Sequence, residues 1–245
     1  MLVLFGDSFV SEWHEGNHTP WFKMLADELG TTYKTYGVHG SSFEYSTLKF
    51  FEYLNSDEYS PDDQIVFVLT STVRSPVVAE DFNPRWAAIT YAKVFYDQQS
   101  ATYKKQLDKI TDPDEHFDRF RSFYKDWFLL QNDDLILAQR YMLLAALHAL
   151  PNKTVSISGW ETETPVSHHF ADHINCLLWV ASDNEVEDGS IWDFIATHGR
   201  DFRMNHLHED NHYILKDAVY SQMNTGANDL TVDSFNKNLY RLKKD

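Results

Sequence analysis

A serine hydroxyl near one end of this 245-residue chain and a group of histidines near the other could together support nucleophilic catalysis. Ser8 ends the segment Gly6-Asp7-Ser8, which follows an apolar run at Leu2–Phe5 that is typical of a strand buried on both faces. Residues 201–212 contain three of the 12 histidines. If the two segments meet, one of these imidazoles can act as general base for Ser8. A simple Asx turn or cap at Gly6-Asp7-Ser8 is the structural alternative.

The late histidine cluster fits two different chemistries. In the first, His206 lies in a loop before the last helix and accepts the proton of Ser8. In the second, His208, Glu209 and His212 form an H-E-x-x-H pattern, in which the two histidines hold zinc and the glutamate is the general base. We rank this zinc hydrolase lower, because neither a histidine nor a glutamate follows position 212. We therefore predict no metal and no cofactor.

Two further loops could complete a site beside Ser8. Residues 36–42 follow the second predicted strand, and their glycines allow close backbone approach, so the amide of Gly40 could face an oxyanion. After the third predicted strand, Thr72 could donate its hydroxyl to a substrate, and the guanidinium of Arg74 could bind a carboxylate. A tight turn between strand and helix also needs glycine. The functional interpretation of these loops therefore depends on their positions after predicted strands.

The elements that must position these loops alternate between strand and helix. Besides Leu2–Phe5, the sequence predicts strands at residues 32–36, 64–69, 154–158 and 176–180, and helices at 21–29, 42–54 and 211–223. We expect Thr19 and Pro20 to begin the first helix and Gly30 to end it. The expected inward residues of the second helix are Phe43, Leu48, Phe51 and Leu54. This alternation predicts an α/β fold with a parallel sheet and right-handed crossovers.

Residues 81–149 interrupt the alternation, because they contain no strand-like run and are punctuated by turn residues such as Asp112-Pro113. We interpret them as a helical insertion in a single domain that spans residues 1–245. The apolar segment at residues 135–150 predicts a buried helix. Several aromatic residues of the insertion could stack on sugars, although core packing explains them more simply: Trp86, Tyr91, Phe95, Tyr96 and Trp127.

The charge balance and the single cysteine exclude several classes of function. The chain has 21 basic and 37 acidic side chains, and its net charge of −16 repels nucleic-acid phosphates and anionic lipid headgroups. Cys176 is the only cysteine, which excludes an internal disulfide and a cysteine-rich zinc cluster. The first residues lack a secretion signal, and no apolar run approaches the roughly 20 residues that span a bilayer. We expect a soluble cytoplasmic protein that binds neither nucleic acid nor membrane.

Taken together, these segments resemble the SGNH/GDSL hydrolase superfamily, most closely its divergent, often phage-encoded members. The resemblance rests on Gly6-Asp7-Ser8, on Gly37-Val38-His39-Gly40, on the loop after the third strand and on residues 205–212 (NHLHEDNH), in that order. It covers the predicted sheet segments and excludes residues 81–149. It implies a three-layer, flavodoxin-like domain with a central parallel sheet, which here carries the helical insertion, and it implies ester hydrolysis.

Carried over residue by residue, the resemblance assigns Ser8 as the nucleophile and His206 as the general base. The backbone amides of Ser8 and Gly40 would be two donors of the oxyanion hole. Family members use these groups to form an acyl-enzyme, which water then hydrolyses. The resemblance therefore implies a serine esterase or acetyl esterase acting on a small-molecule or carbohydrate ester.

Two positions depart from the pattern of the superfamily. Its Gly-x-Asn-Asp block is absent around residues 70–73, where Thr72 is the nearest polar substitute for the asparagine donor. Arg203 stands where the family places its acid, so Asp201 is the closest carboxylate. These departures keep open a non-catalytic binding or virion-associated protein of the same fold. A phage-encoded protein of this kind would act in the host cytoplasm or in the virion, and no oligomeric state follows from the sequence.

Overall fold

A parallel β-sheet organises the chain, as seen in a computed structural model. The structure describes residues 1–12, 19–38, 41–70, 74–76, 88–90, 133–158, 173–174, 207, 209–226 and 230–236. The strands within these ranges are β1 (Leu2–Phe5), β2 (Tyr33–Thr35), β3 (Gln64–Leu69), β4 (Arg74–Pro76), β5 (Ala88–Thr90), β6 (Lys153–Ser158) and β7 (His173–Ile174). The helices are α1 (Trp21–Glu28), α2 (Phe43–Leu54), α3 (Asp133–His148) and α4 (Glu209–Thr225). Short 3₁₀ turns occupy Ser8–Val10 and Val232–Ser234.

The main sheet has five strands in the order β2-β1-β3-β6-β7, and each neighbouring pair is parallel. β1 lies between β2 and β3, with Leu4 opposite Thr35 on one side and Val66 on the other. All four residues of β1 are buried, as are the last five of β3. Strands covered on both faces need apolar residues at every position, and for this reason the sequence predicted both strands at their observed bounds.

Helices cover both faces of this sheet. On one face, Trp21 of α1 and Val219 of α4 belong to the same buried cluster as Leu4. On the other face, Phe50 of α2 and Leu144 of α3 belong to a second buried cluster. The connection from β1 to β2 runs towards one edge of the sheet, and the connections from β2 to β3 and from β3 to β6 run towards the other edge. Right-handed crossovers that run in opposite directions place their helices on opposite faces. The predicted α/β fold with a parallel sheet is confirmed.

The second helix shows which face a tertiary structure selects. α2 begins after Ser42, whose hydroxyl accepts a hydrogen bond from the Tyr45 amide at 3.2 Å. The predicted inward face is wrong at Leu48 and Phe51, which are 55% and 43% exposed. Phe50 and Tyr53 point inward instead. Adjacent apolar residues let the helix pack in either rotation, so the apolar pattern alone did not choose between them.

Residues 81–149 differ from the predicted insertion in two ways. The prediction that they contain no strand is wrong at Ala88–Thr90, which pairs antiparallel with Arg74–Pro76. α3 follows β3 and precedes β6 among the strands of the main sheet, and it packs on that sheet as a crossover helix does. It is buried along one side only, since Leu143 and Leu144 are buried while Met142 is 71% exposed. Residues 91–132, the middle of the predicted insertion, lie outside the described residues.

Other element boundaries differ by small amounts. α1 begins after Pro20, which makes no side-chain cap bond, so the predicted cap by Thr19 is wrong, whereas Gly30 ends the helix region with a φ of +63°. The last described strand is His173–Ile174, and the predicted strand at residues 176–180 lies outside the described residues. In the described part of the chain, no helix combines the length and apolar character needed to cross a membrane.

At the amino ends of β1 and β3, a buried carboxylate ties three segments together. Asp63 accepts hydrogen bonds from the Met1 ammonium at 2.8 Å, from the Tyr53 hydroxyl and from the Ser60 amide at 3.1 Å. Burial raises the pKa of Asp63, but these donors lower it more, and the net pKa lies below the ordinary value. This network lies at the end of the sheet opposite the loops that follow the strands.

Candidate active site

Ser8 lies where the strand order reverses. From β1 the chain moves outward to β2 and then returns past β1 to β3, so the carboxyl ends of β1 and β3 border a topological switch point. Open α/β sheets bind ligands in the crevice outside this point. The loop after β1 begins with Gly6 and carries Ser8, and the loop after β3 begins with Thr70. The fold thus brings the predicted nucleophile to the edge where the predicted ligand would bind.

The turn that presents Ser8 depends on Gly6 and Asp7. Gly6 has a φ of +150°, and a Cβ there would lie 2.9 Å from Val10 Cγ2 and 3.0 Å from the Val68 Cβ, so only glycine fits. Asp7 is fully buried, and its Oδ1 accepts a hydrogen bond from the Phe9 amide at 3.2 Å. This is the Asx turn that the sequence offered as the structural alternative. It holds Ser8, half-buried, as the first residue of a 3₁₀ turn, and the Ser8 hydroxyl bonds to no described residue.

The backbone before Ser8 is held by hydroxyl groups from the neighbouring loop and helix. The carbonyl oxygen of Gly6 accepts hydrogen bonds from Ser41 Oγ at 3.1 Å and from Ser46 Oγ at 3.2 Å. The Thr70 hydroxyl in turn donates to the Ser41 carbonyl at 3.3 Å. All three hydroxyl residues are buried. The carboxyl ends of β1 and β3 and the start of α2 therefore form one hydrogen-bonded unit.

Arg140 fixes the start of the loop after β3. Its Nη2 donates to the Thr70 carbonyl at 2.8 Å, and its guanidinium lies over the Phe43 ring, 5.9 Å from the centroid. Arg140 is only 3% exposed, so this charge is held inside the protein. Arg140 was not among the site residues predicted from the sequence. The available signal was a single arginine in the middle of a long apolar helix, since a buried charge needs polar partners.

Gly37, in the loop after β2, allows the Ser8 loop to pass close by. A Cβ at Gly37 would lie 2.5 Å from the Val10 carbonyl oxygen, and Thr35 Oγ1 donates to that same oxygen. The group that approaches Gly37 is the protein's own backbone, and the predicted approach of these glycines to a bound group stays a prediction.

The described part of the late histidine segment is connected to the residue that follows Ser8. Leu207, which follows His206, is 2% exposed and belongs to the same buried cluster as Phe9, which follows Ser8. His212 accepts a hydrogen bond at Nδ1 from the Trp21 amide at 3.1 Å. Trp21 in turn donates from its indole Nε1 to the Phe9 carbonyl at 2.8 Å. His212, six positions after the predicted base, is thus linked through Trp21 to the residue next to the predicted nucleophile.

The remaining predicted site residues are described only in part. Arg74 lies in β4, opposite Thr90, and its side chain is not among the described groups. The other four lie outside the described residues: Gly40, Thr72, Asp201 and His206.

Of the two histidines of the zinc alternative, only His212 lies within the described residues. His208 lies outside the described residues, whereas His212 is 8% exposed and accepts the Trp21 amide at the start of α1. This hydrogen bond gives His212 a structural role. In the described ranges, no group of three or more histidine, cysteine, aspartate or glutamate side chains could hold a metal ion.

Comparisons with known proteins leave this site to be interpreted from its geometry. No protein-family model, no curated protein and no solved structure matches the chain.

Proposed function

We propose that the protein is a serine esterase of the SGNH type, with Ser8 as the nucleophile and His206 as the general base. The strand order supports this proposal. Counted along the main sheet alone, the five strands lie in the order 2-1-3-4-5, which is the order of flavodoxin-like doubly wound sheets. Ser8 follows the first of these strands, as the nucleophile of the superfamily does in the resemblance described above.

The anchoring of the late segment carries the proposal. Trp21 connects His212 to the Ser8 turn, because its backbone amide donates to the His212 imidazole and its indole donates to the Phe9 carbonyl. Leu207 is buried in the cluster that contains Phe9. His206 directly precedes Leu207, and in this proposal its imidazole reaches the Ser8 hydroxyl, as a general base must.

In the proposed reaction, Ser8 Oγ attacks the ester carbonyl while His206 accepts its proton. The backbone amides of Ser8 and Gly40 stabilise the oxyanion, with Thr72 as a further donor, and Asp201 orients the imidazole. His206 then protonates the leaving alcohol. Water attacks the acyl-enzyme with His206 again as base, which releases the acid and restores Ser8.

Arg74 is the proposed substrate-binding cation in this scheme. The β4–β5 pair is the next described element after β3, which ends at the carboxyl edge of the sheet, and we propose that the guanidinium binds a carboxylate or other polar group of the substrate. The bond from Arg140 to Thr70 holds the start of this loop. We therefore propose a small-molecule or carbohydrate ester as substrate.

Labelling with a fluorophosphonate and hydrolysis of p-nitrophenyl acetate test the proposal. We expect wild-type protein to be labelled at Ser8, and we expect Ser8→Ala to abolish both labelling and turnover. Ser56→Ala is the matched control, because Ser56 follows α2 at the opposite end of the sheet and should leave both unchanged. His206→Ala should reduce turnover by roughly 10³-fold or more.

Two other outcomes would replace the proposal. Turnover that survives Ser8→Ala and disappears with a chelator would indicate the zinc hydrolase based on His208 and His212. A folded protein that is neither labelled nor active on any ester tested would indicate a non-catalytic binding protein of the same fold.

A further inference from the structure

A cavity of about 430 Å³ lies between α2 and α3, on the side of the main sheet covered by these two helices. Phe43 and Phe51 of α2 line it together with Met142, Leu143 and Ala146 of α3. Its volume falls within the range of small-molecule pockets, which are largely apolar with a few polar groups. Ser8, in the loop after β1, is not among the residues that line this cavity.

Glu44 brings a carboxylate to the wall of this apolar cavity. Its Oε2 is buried and has no hydrogen-bond partner among the described residues. Burial raises the pKa of Glu44, while its own backbone amide and the Ser42 hydroxyl lower the pKa by smaller amounts. A buried carboxylate oxygen without a donor is unfavourable, and a donor that enters the cavity would relieve this cost once the carboxyl group turns towards it.

The entrance of the cavity is apolar and accessible. Met142 is 71% exposed and Phe51 is 43% exposed, although both are large apolar side chains. Single exposed apolar residues are common on protein surfaces, but these two border one cavity that Glu44 also lines. An apolar body with a positively charged head would satisfy both features.

We propose that this cavity binds a small amphiphilic amine, with the ammonium group on the Glu44 carboxylate and the apolar body between Phe51 and Met142. The terminal torsion of a glutamate side chain is soft, so the carboxyl group can turn an oxygen towards the ligand. An ammonium supplies three donors to a carboxylate whose Oε2 lacks one, and the charge-assisted hydrogen bond is strong because the site is apolar. This inference does not rest on the proposed esterase activity.

Titration with 2-phenylethylamine, and with 2-phenylethanol as its neutral isostere, tests the inference by NMR chemical-shift changes. We expect wild-type protein to bind the amine at least ten-fold more tightly than the alcohol. Glu44→Gln should remove this preference, because the amide carries no charge. Ala146→Trp should weaken both ligands at least ten-fold by filling the cavity.

Glu52→Gln separates a specific site from general attraction of cations to this acidic protein. Glu52 lies on the same helix, and its carboxylate is exposed and paired with Lys49 at 2.6 Å. We expect Glu52→Gln to bind both ligands as the wild type does, and circular dichroism to show each variant folded. The inference would be overturned by equal binding of the amine to wild-type and Glu44→Gln protein, or by the absence of saturable binding to the wild type.

Discussion

His212 accepts a hydrogen bond at Nδ1 from the backbone amide of Trp21, a residue 191 positions earlier in the chain. Trp21 is the first residue of α1, where backbone amides have no partner within the helix. Pro20 precedes it and makes no side-chain cap bond. The imidazole therefore does from a distant helix what a serine or aspartate before α1 would do locally.

Replacing His212 by alanine should destabilise the protein by about 1–2 kcal/mol, because the buried Trp21 amide loses its acceptor. Urea denaturation measures this change. Tyr213→Ala, one position later on an exposed part of α4, should change stability by less than about 0.5 kcal/mol. An equally large effect of Tyr213→Ala would show that the hydrogen bond is not the cause. The stability loss should be the same with and without added zinc.

Gly6→Ala should be strongly destabilising, by about 3 kcal/mol, because the new Cβ would clash with Val10 and Val68 at a φ of +150°. Gly30→Ala is the control. Gly30 also has a positive φ, +63°, but its Cβ would meet no atom within 4 Å, so the expected loss is about 1 kcal/mol. Denaturation midpoints give both values. Similar losses for the two variants would mean that backbone conformation, and not the close packing under the Ser8 turn, sets the cost.

The two hydroxyl groups on the Gly6 carbonyl should act non-additively. Ser41→Ala or Ser46→Ala alone should cost about 1 kcal/mol or less, because the other hydroxyl still donates to the oxygen. In the double variant the carbonyl depends on the longer bond from the Val38 amide, at 3.4 Å. The double loss should then exceed the sum of the single losses by about 1 kcal/mol. A simple sum in a double-mutant cycle would contradict this prediction.

Asp63→Asn should destabilise the protein by about 2 kcal/mol at pH 7, because it removes the ion pair with the Met1 ammonium and the carboxylate that Tyr53 and Ser60 bond. The pKa of Asp63 is lowered in the folded protein, so this stabilisation is complete above the ordinary value of 3.8. It is lost as the pH falls through the lower, folded pKa.

Denaturation at pH 7 and at about pH 3 measures the pH dependence of Asp63, and the difference between wild type and Asp63→Asn should shrink at the lower pH. Asp62→Asn is the control, because its side chain is exposed beside the same turn. A difference between wild type and Asp63→Asn that stays constant down to pH 3 would show that the carboxylate charge is not the source of the stability.

The described helices show which parts of the fold local sequence could predict. Ser42 begins α2 and Gly30 ends the first helix region because capping and positive φ depend on the residue itself. The inward face of α2 depends instead on what packs against it. Phe50 and Phe51 are equally apolar neighbours, and the contact with the sheet and α3 selects Phe50. In α3, packing against the sheet likewise buries Leu143 and Leu144 and leaves Met142 exposed.

The sequence by itself determined the strands β1 and β3 to the residue, the α/β alternation and the position of Ser8 after the first strand, because continuous apolar runs and glycine turns are local properties. Tertiary structure alone decided that Arg140 holds Thr70 and that His212 caps α1. Hydrogen bonds between residues far apart in the chain leave no periodic signal in the sequence. Arg140 and His212 would fit their own helices equally well without these bonds.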